Sequence, residues 1–119
     1  THQVRMGSAH GRVCATFGTP VGDAMAELLE FYTTFHVAEE ETEDGPVHDP
    51  CAVLAVTHPH LFEMASRPVR VEVDGTHTRG MTVVDERGPR AEVPFNCDVA
   101  YEADAEALID LVMQSVREA

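Results

Sequence analysis

The sequence predicts a mixed α/β fold in which helices pack on a small sheet. Apolar residues recur at helical spacing near both ends of the chain, and three segments between them alternate as strands do. The composition agrees: 119 residues, 44% of them hydrophobic and 24% charged, suffice for one core, so a single unit over 1–119 is expected.

The first helix is predicted over 21–37, where Met25, Leu28, Leu29, Phe31, Tyr32 and Phe35 share a face, with Thr19 and Pro20 at its start. The run Glu39-Glu40-Glu41-Thr42-Glu43-Asp44, closed by Gly45-Pro46, predicts a solvated loop, because like charges repel and turn residues break both helix and strand. A weak cation site is the other reading of so many carboxylates. Asp49 then suits the cap, and Pro50 the first turn, of a short helix over 51–57 that ends near Pro59. Strands are predicted over 69–73, 78–84 and 91–99, with Gly75 in the connection between the first two. Asp104 caps a last helix whose Ala107, Leu108, Leu111, Val112 and Val116 lie on one side.

Charge narrows the partners. With 21 acidic and 8 basic residues the formal charge is −13, which repels phosphate backbones and anionic membrane surfaces, so neither nucleic acid nor a membrane is expected as a partner. Cys14, Cys51 and Cys97 are odd in number and lack a CxxC pair, which suits reduced thiols and core positions in a cytoplasmic protein. There is no apolar run of membrane-spanning length, and the opening residues carry no signal-peptide pattern. A first residue other than Met suggests a piece of a longer product.

The segment richest in chemistry is Gly45-Pro46-Val47-His48-Asp49-Pro50-Cys51-Ala52-Val53. It sets an imidazole, able to donate a proton near neutral pH, beside a carboxylate that can hold a hard cation through oxygen. Local spacing alone equally allows Asp49 to be a helix cap and His48 a surface side chain. His58-Pro59-His60 has no third ligand nearby and is read as surface.

That segment resembles the C-terminal signature of the inosine-uridine nucleoside hydrolases, a Gly-x-x-His-Asp-Pro-x-Ala-Val run ahead of a short helix. Thr1-His2-Gln3 is similar to the family's stretch after its middle strand, and Arg79-Gly80-Met81-Thr82-Val83-Val84-Asp85 to its late Arg-Gly-x-Thr-x-x-Asp strand. Phe31-Tyr32 resembles the aromatic helix that precedes the His-Asp-Pro run. In order and spacing the likeness covers essentially the whole chain, as the C-terminal part of that family's open-sheet fold.

The resemblance implies hydrolysis of the N-glycosidic bond of a purine or pyrimidine ribonucleoside, as in nucleoside salvage, with calcium bound to the ribose hydroxyls and the attacking water. It makes Asp49 a calcium ligand and His48 the leaving-group acid or base contact. It also places Tyr32 and His36 on the side that covers the nucleobase, although helical spacing alone explains Tyr32 as core and His36 as surface. Arg79 and Asp85 are expected to form an architectural ion pair or turn.

The chain departs from the family in lacking the Asp-x-Asp-x-x-x-Asp-Asp cluster that supplies most calcium ligands and the general base. The 119 residues are therefore expected to be inactive alone, and to associate, as a homo-oligomer or otherwise, through apolar surface left uncovered. A non-catalytic interaction or regulatory module derived from the same fold is the alternative.

Overall fold

The computed structural model describes residues 2–40, 44–91 and 93–119, and for 35–40 the backbone alone. The chain divides into two compact units, Thr1–Phe62 with Ala103–Ala119, and Glu63–Glu102. No shift in composition marks these boundaries in the sequence. The architecture is mixed α/β, as expected, but among the described residues the strands form three two-stranded pairs instead of one small sheet.

The first unit begins with β1 (Arg5–Gly7) and α1 (Ser8–Ala15), followed by α2 (Pro20–Glu40). Nothing in the sequence pattern suggests α1, which is short and contains Gly11. His10 stabilises its start by accepting a hydrogen bond from the Gly7 N–H at Nδ1, 3.2 Å away. The Thr19 hydroxyl accepts from the Gly22 N–H at 3.0 Å, so α2 starts where the sequence places it. Helix α2 runs on through Glu40, so the first two residues of the acidic stretch are helical; 41–43 lie outside the described residues.

Close packing of α1 on α2 depends on glycine. A methyl group on Gly22 would sit 2.6 Å from the Cys14 carbonyl oxygen, a backbone atom that cannot step aside. Gly22→Ala should therefore destabilise the chain by about 1–2 kcal/mol, overriding the helix preference for Ala of about 1 kcal/mol. Urea unfolding followed by circular dichroism checks the sign.

After α2 come β2 (Asp44–Pro46) and α3 (His48–Thr57), and the unit closes with α4 (Ala105–Glu118). β2 runs antiparallel to β1, pairing Arg5 with Pro46, Met6 with Gly45 and Gly7 with Asp44. The Val47 N–H donates to the Val4 carbonyl at 3.0 Å, which carries the pairing to the threshold of α3. α4 is capped as the sequence predicts, the Asp104 carboxylate accepting from the Ala107 N–H at 3.1 Å. Val4, Cys51 and Leu108 form the core, with Val47, Leu54, Leu61, Phe62 and Ile109 packed around them. Burial pushes the Cys14 and Cys51 thiols up from their ordinary range, consistent with thiols that fill space.

The second unit holds most of β3 (Phe62–Arg67), β4 (Val69–Val71), β5 (Thr82–Val84) and most of β6 (Cys97–Ala103). β3 pairs with β6, and β4 pairs antiparallel with β5 in the register Val69–Val84, Arg70–Val83, Val71–Thr82. The sequence places strands at β4, β5 and β6, but it carries the first two too far into their connection and puts the last at 91–99, where the strand is Cys97–Ala103. The last begins at Cys97, not at 91, because Asn96 already does a strand's work with its side chain. Its amide accepts from the Val69 N–H at 2.7 Å and donates to the Val69 carbonyl at 3.0 Å. At the other end of β4 the Glu72 carboxylate accepts from the Asp74 and Gly75 N–H groups at 2.8 and 3.0 Å, which closes the turn and lowers its pKa. Among the described residues no helix is long and apolar enough to cross a membrane.

Candidate functional site

Helix α3 starts earlier than the sequence suggests. Its cap is Val47, extended at φ −101° and ψ 95°, with no side-chain cap bond, so Asp49 is not the cap. The reason is the strand pair: the Val4 carbonyl, just before β1, holds the Val47 N–H, and the helix turns immediately after it. His48, Asp49 and Pro50 thus occupy the first turn, where an N–H has no helical acceptor and proline is tolerated. A carboxylate there also faces the positive end of the helix dipole.

Both His48 and Asp49 are exposed and adjacent. Among the described residues no hydrogen bond or ion pair engages the Asp49 carboxylate, so it is available to a ligand. The His48 ring meets the His2 ring, with centroids 5.5 Å apart and planes tilted by 59°. His2 was given no role by the sequence reading, because nothing in spacing joins two residues so far apart. The β1–β2 pairing brings them together.

Tyr32, half-buried on α2, donates its hydroxyl to the Pro46 carbonyl at 2.7 Å, two residues before His48. It thereby ties α2 to the strand that presents the imidazole. A Tyr32 contact with a flat ring would use its face, since its proton is already committed to Pro46. His36 lies on α2 one turn further along, but its side chain is outside the described residues.

The expected ion pair between Arg79 and Asp85 is not formed. Asp85 pairs with Arg87 at 2.6 Å instead, because the side chain two residues on reaches it in the turn after β5, and Arg79 is exposed. That guanidinium holds the Asp85 carboxyl down to about 2, from an ordinary 3.8. A depressed carboxyl contributes stability that is fully present above about pH 4 and is lost as pH falls through about 2. Arg87→Leu should return the Asp85 titration midpoint toward 3.8, read from its carboxyl carbon by NMR. Nearby, Glu86 accepts hydrogen bonds from Tyr101 and from Arg67 (3.0 Å), which lowers its pKa too.

These contacts border a cavity of about 360 Å³ in the second unit, lined by Pro68, Arg70, Val84, Asp85, Arg87 and Val93 among others. Its carboxylates are already matched to cations, and it includes none of His48, Asp49 or Tyr32. His58 and His60 have ring centroids 6.0 Å apart, and among the described residues no cluster of three or more His, Cys, Asp or Glu side chains could hold a metal.

The fold has counterparts among solved structures. A plant nucleoside hydrolase superposes with a TM-score of 0.84 at 23% identity, covering 99% of this chain and 39% of that one. The purine-preferring ribonucleoside hydrolase from Gardnerella vaginalis gives 0.82 at 22% identity, covering 98% of this chain and 36% of its own. In sequence, the pyrimidine-specific ribonucleoside hydrolase RihA of Klebsiella pneumoniae subsp. pneumoniae is 36% identical over 115 residues, 96% of this chain and 37% of the relative. RihA of Salmonella arizonae is 33% identical over 118 residues, 98% of this chain and 38% of that protein. The chain therefore spans little more than a third of the length of these relatives. The family model for inosine-uridine preferring nucleoside hydrolases matches residues 1–110, and with it the chain is shown to belong to that family.

Proposed function

We propose that this chain contributes the His48–Asp49 part of a ribonucleoside-hydrolysing site, and that the 119 residues are inactive by themselves. The observation that carries this is the exposed imidazole and carboxylate, side by side on the first turn of α3 and braced by β1, in a member of this family. In the reaction the bond between the sugar C1′ and the base nitrogen breaks, its electron pair leaves with the base, and water supplies oxygen to C1′ while giving up a proton to a carboxylate base that lies outside these residues. His48 donates the proton that lets the base depart neutral. Tyr32 and His36 flank the base, Tyr32 with its ring face.

Asp49 is one carboxylate, whereas calcium takes about six to eight oxygen ligands. The described residues therefore do not make a calcium site alone, and Asp49 would add a single ligand to one completed by other aspartates. Pyrimidine ribonucleosides are the first substrates to assay, on the strength of the 36% identity to a pyrimidine-specific hydrolase.

The test is ribose release from uridine, cytidine and inosine, with and without calcium. It compares the chain alone with a chimera in which the chain replaces the matching stretch of Klebsiella RihA. No turnover by the chain and calcium-dependent turnover by the chimera are expected. Efficient turnover by the chain alone overturns the incomplete-site reading, and a folded but inert chimera favours a non-catalytic interaction module.

Leu28 (62% exposed), Phe31 (77%) and Val56 (82%) leave apolar surface open to water, which supports the reading that this piece associates with itself or with a larger partner. Light scattering should give a mass above 13.0 kDa that falls toward it in Leu28→Asp with Phe31→Asp.

A further inference from the structure

Five of the chain's eight basic residues, Arg67, Arg70, Arg79, Arg87 and Arg90, fall within the second unit. Two of them line its cavity, and they are not employed alike. Arg87 is taken up by Asp85, with Nη2 2.6 Å from Oδ2 and Nε 2.9 Å from Oδ1. Among the described residues no hydrogen bond or ion pair engages the Arg70 guanidinium, which adds only its field to the Arg87 contacts that keep Asp85 ionised. Arg70 stands opposite Val83 in the β4–β5 register, so the two side chains share one face of the hairpin. Pro68, Val84 and Val93 extend the apolar wall beside them.

A guanidinium uncommitted to any carboxylate, set against valine and proline, selects its ligand on two counts. A small hydrated dianion such as hydrogen phosphate gains nothing from the apolar wall and is repelled by Asp85 and Glu86 among the lining residues. A carboxylate on an apolar body suits both parts, because its two oxygens match the guanidinium fork while the body covers the valines. The chain's charge of −13 does not forbid this, since exposed charges more than about 8 Å away are largely screened at physiological salt. A volume of about 360 Å³ lies near the lower end of the roughly 300–1,000 Å³ found for ligand pockets, which limits the body to one ring or a short branched chain. We propose that this cavity is a binding site for a small monocarboxylate, held by Arg70 through charge and by Pro68, Val83 and Val93 through apolar contact. None of these residues takes part in the hydrolysis proposed above, so the two readings fail independently.

Benzoate is the probe, titrated into the 119-residue chain at neutral pH and followed through the backbone amide signals by NMR. Saturable shifts should concentrate at Arg70, Val83, Val84 and Val93, with a Kd on the order of 1 mM, as suits one ion pair and one ring. Benzamide, which keeps the shape without the charge, should bind at least about 10-fold more weakly, and Arg70→Gln should weaken benzoate by the same factor. Val83→Asp places a carboxylate across the register from Arg70 and should also abolish binding, by engaging the guanidinium from within; it serves where Arg70→Gln does not fold. Equal binding of benzamide, unchanged affinity in a folded variant, or shifts that do not saturate or that scatter over both units overturn the proposal. Inorganic phosphate that saturates the same amides as readily as benzoate shows a general anion site and overturns the carboxylate assignment.

Discussion

Leu108→Ala should lower the stability of the folded chain by about 3 kcal/mol and move the urea midpoint down by roughly 1–2 M. Leu108 is fully buried, and it meets Val4 and Cys51, which come from the residue just before β1 and from the first turns of α3. Shortening it removes apolar contacts and leaves a void bounded by three different segments, which cannot all move in to fill it. A loss of that size is a large share of the 5–15 kcal/mol typical of a domain. Val73→Ala, at a position 62% exposed and outside the surface proposed for association, should change stability by less than about 0.5 kcal/mol and serves as the control. Equal effects from the two substitutions would show that the core is not where the structure places it.

His48→Ala should reduce kcat for ribonucleoside hydrolysis by about 10²- to 10⁴-fold in the chimera, the range for removing a general acid. Asp49→Asn should act differently. It keeps the shape but removes the charge that a hard cation selects, so the calcium concentration for half-maximal activity should rise by at least about 10-fold. Both side chains are exposed on the first turn of α3, so neither substitution should alter the unfolding curve by more than about 1 kcal/mol. Activity lost without stability lost separates a site from a scaffold. Retained activity in both variants would remove them from the chemistry.

Legibility followed the range of the interactions. Helix α4 could be read because its cap and its apolar stripe are local: Asp104 and Leu108 declare it within a few residues. The hairpin of β4 and β5 could be read for the same reason, although side chains of Glu72 and Asn96 set its limits. β1 and β2 have three residues each and no alternating pattern; they exist because the chain between them brings distant backbone into register. β3, with Phe62 and Met64 among polar neighbours, lacks the β-branched residues that announce a strand. The same division holds at the site. His48-Asp49 is a contiguous motif and stood out, whereas His2 faces it only through the β1–β2 pairing. The cap expected at Asp49 is displaced because a strand pair distant in sequence sets where α3 starts, whereas Asp85 meets Arg87, which is nearer in sequence than Arg79.

The first unit leaves its own path at Phe62 and resumes it at Ala103, where the Asp104 N–H returns to the Leu61 carbonyl at 2.9 Å. Its central hydrophobic contact thus joins residue 4 to residue 108, with the whole of the other unit made in between. During translation Val4 and Cys51 wait, wet, for a leucine not yet synthesised. A nascent chain paused before α4 would offer those side chains to chaperones.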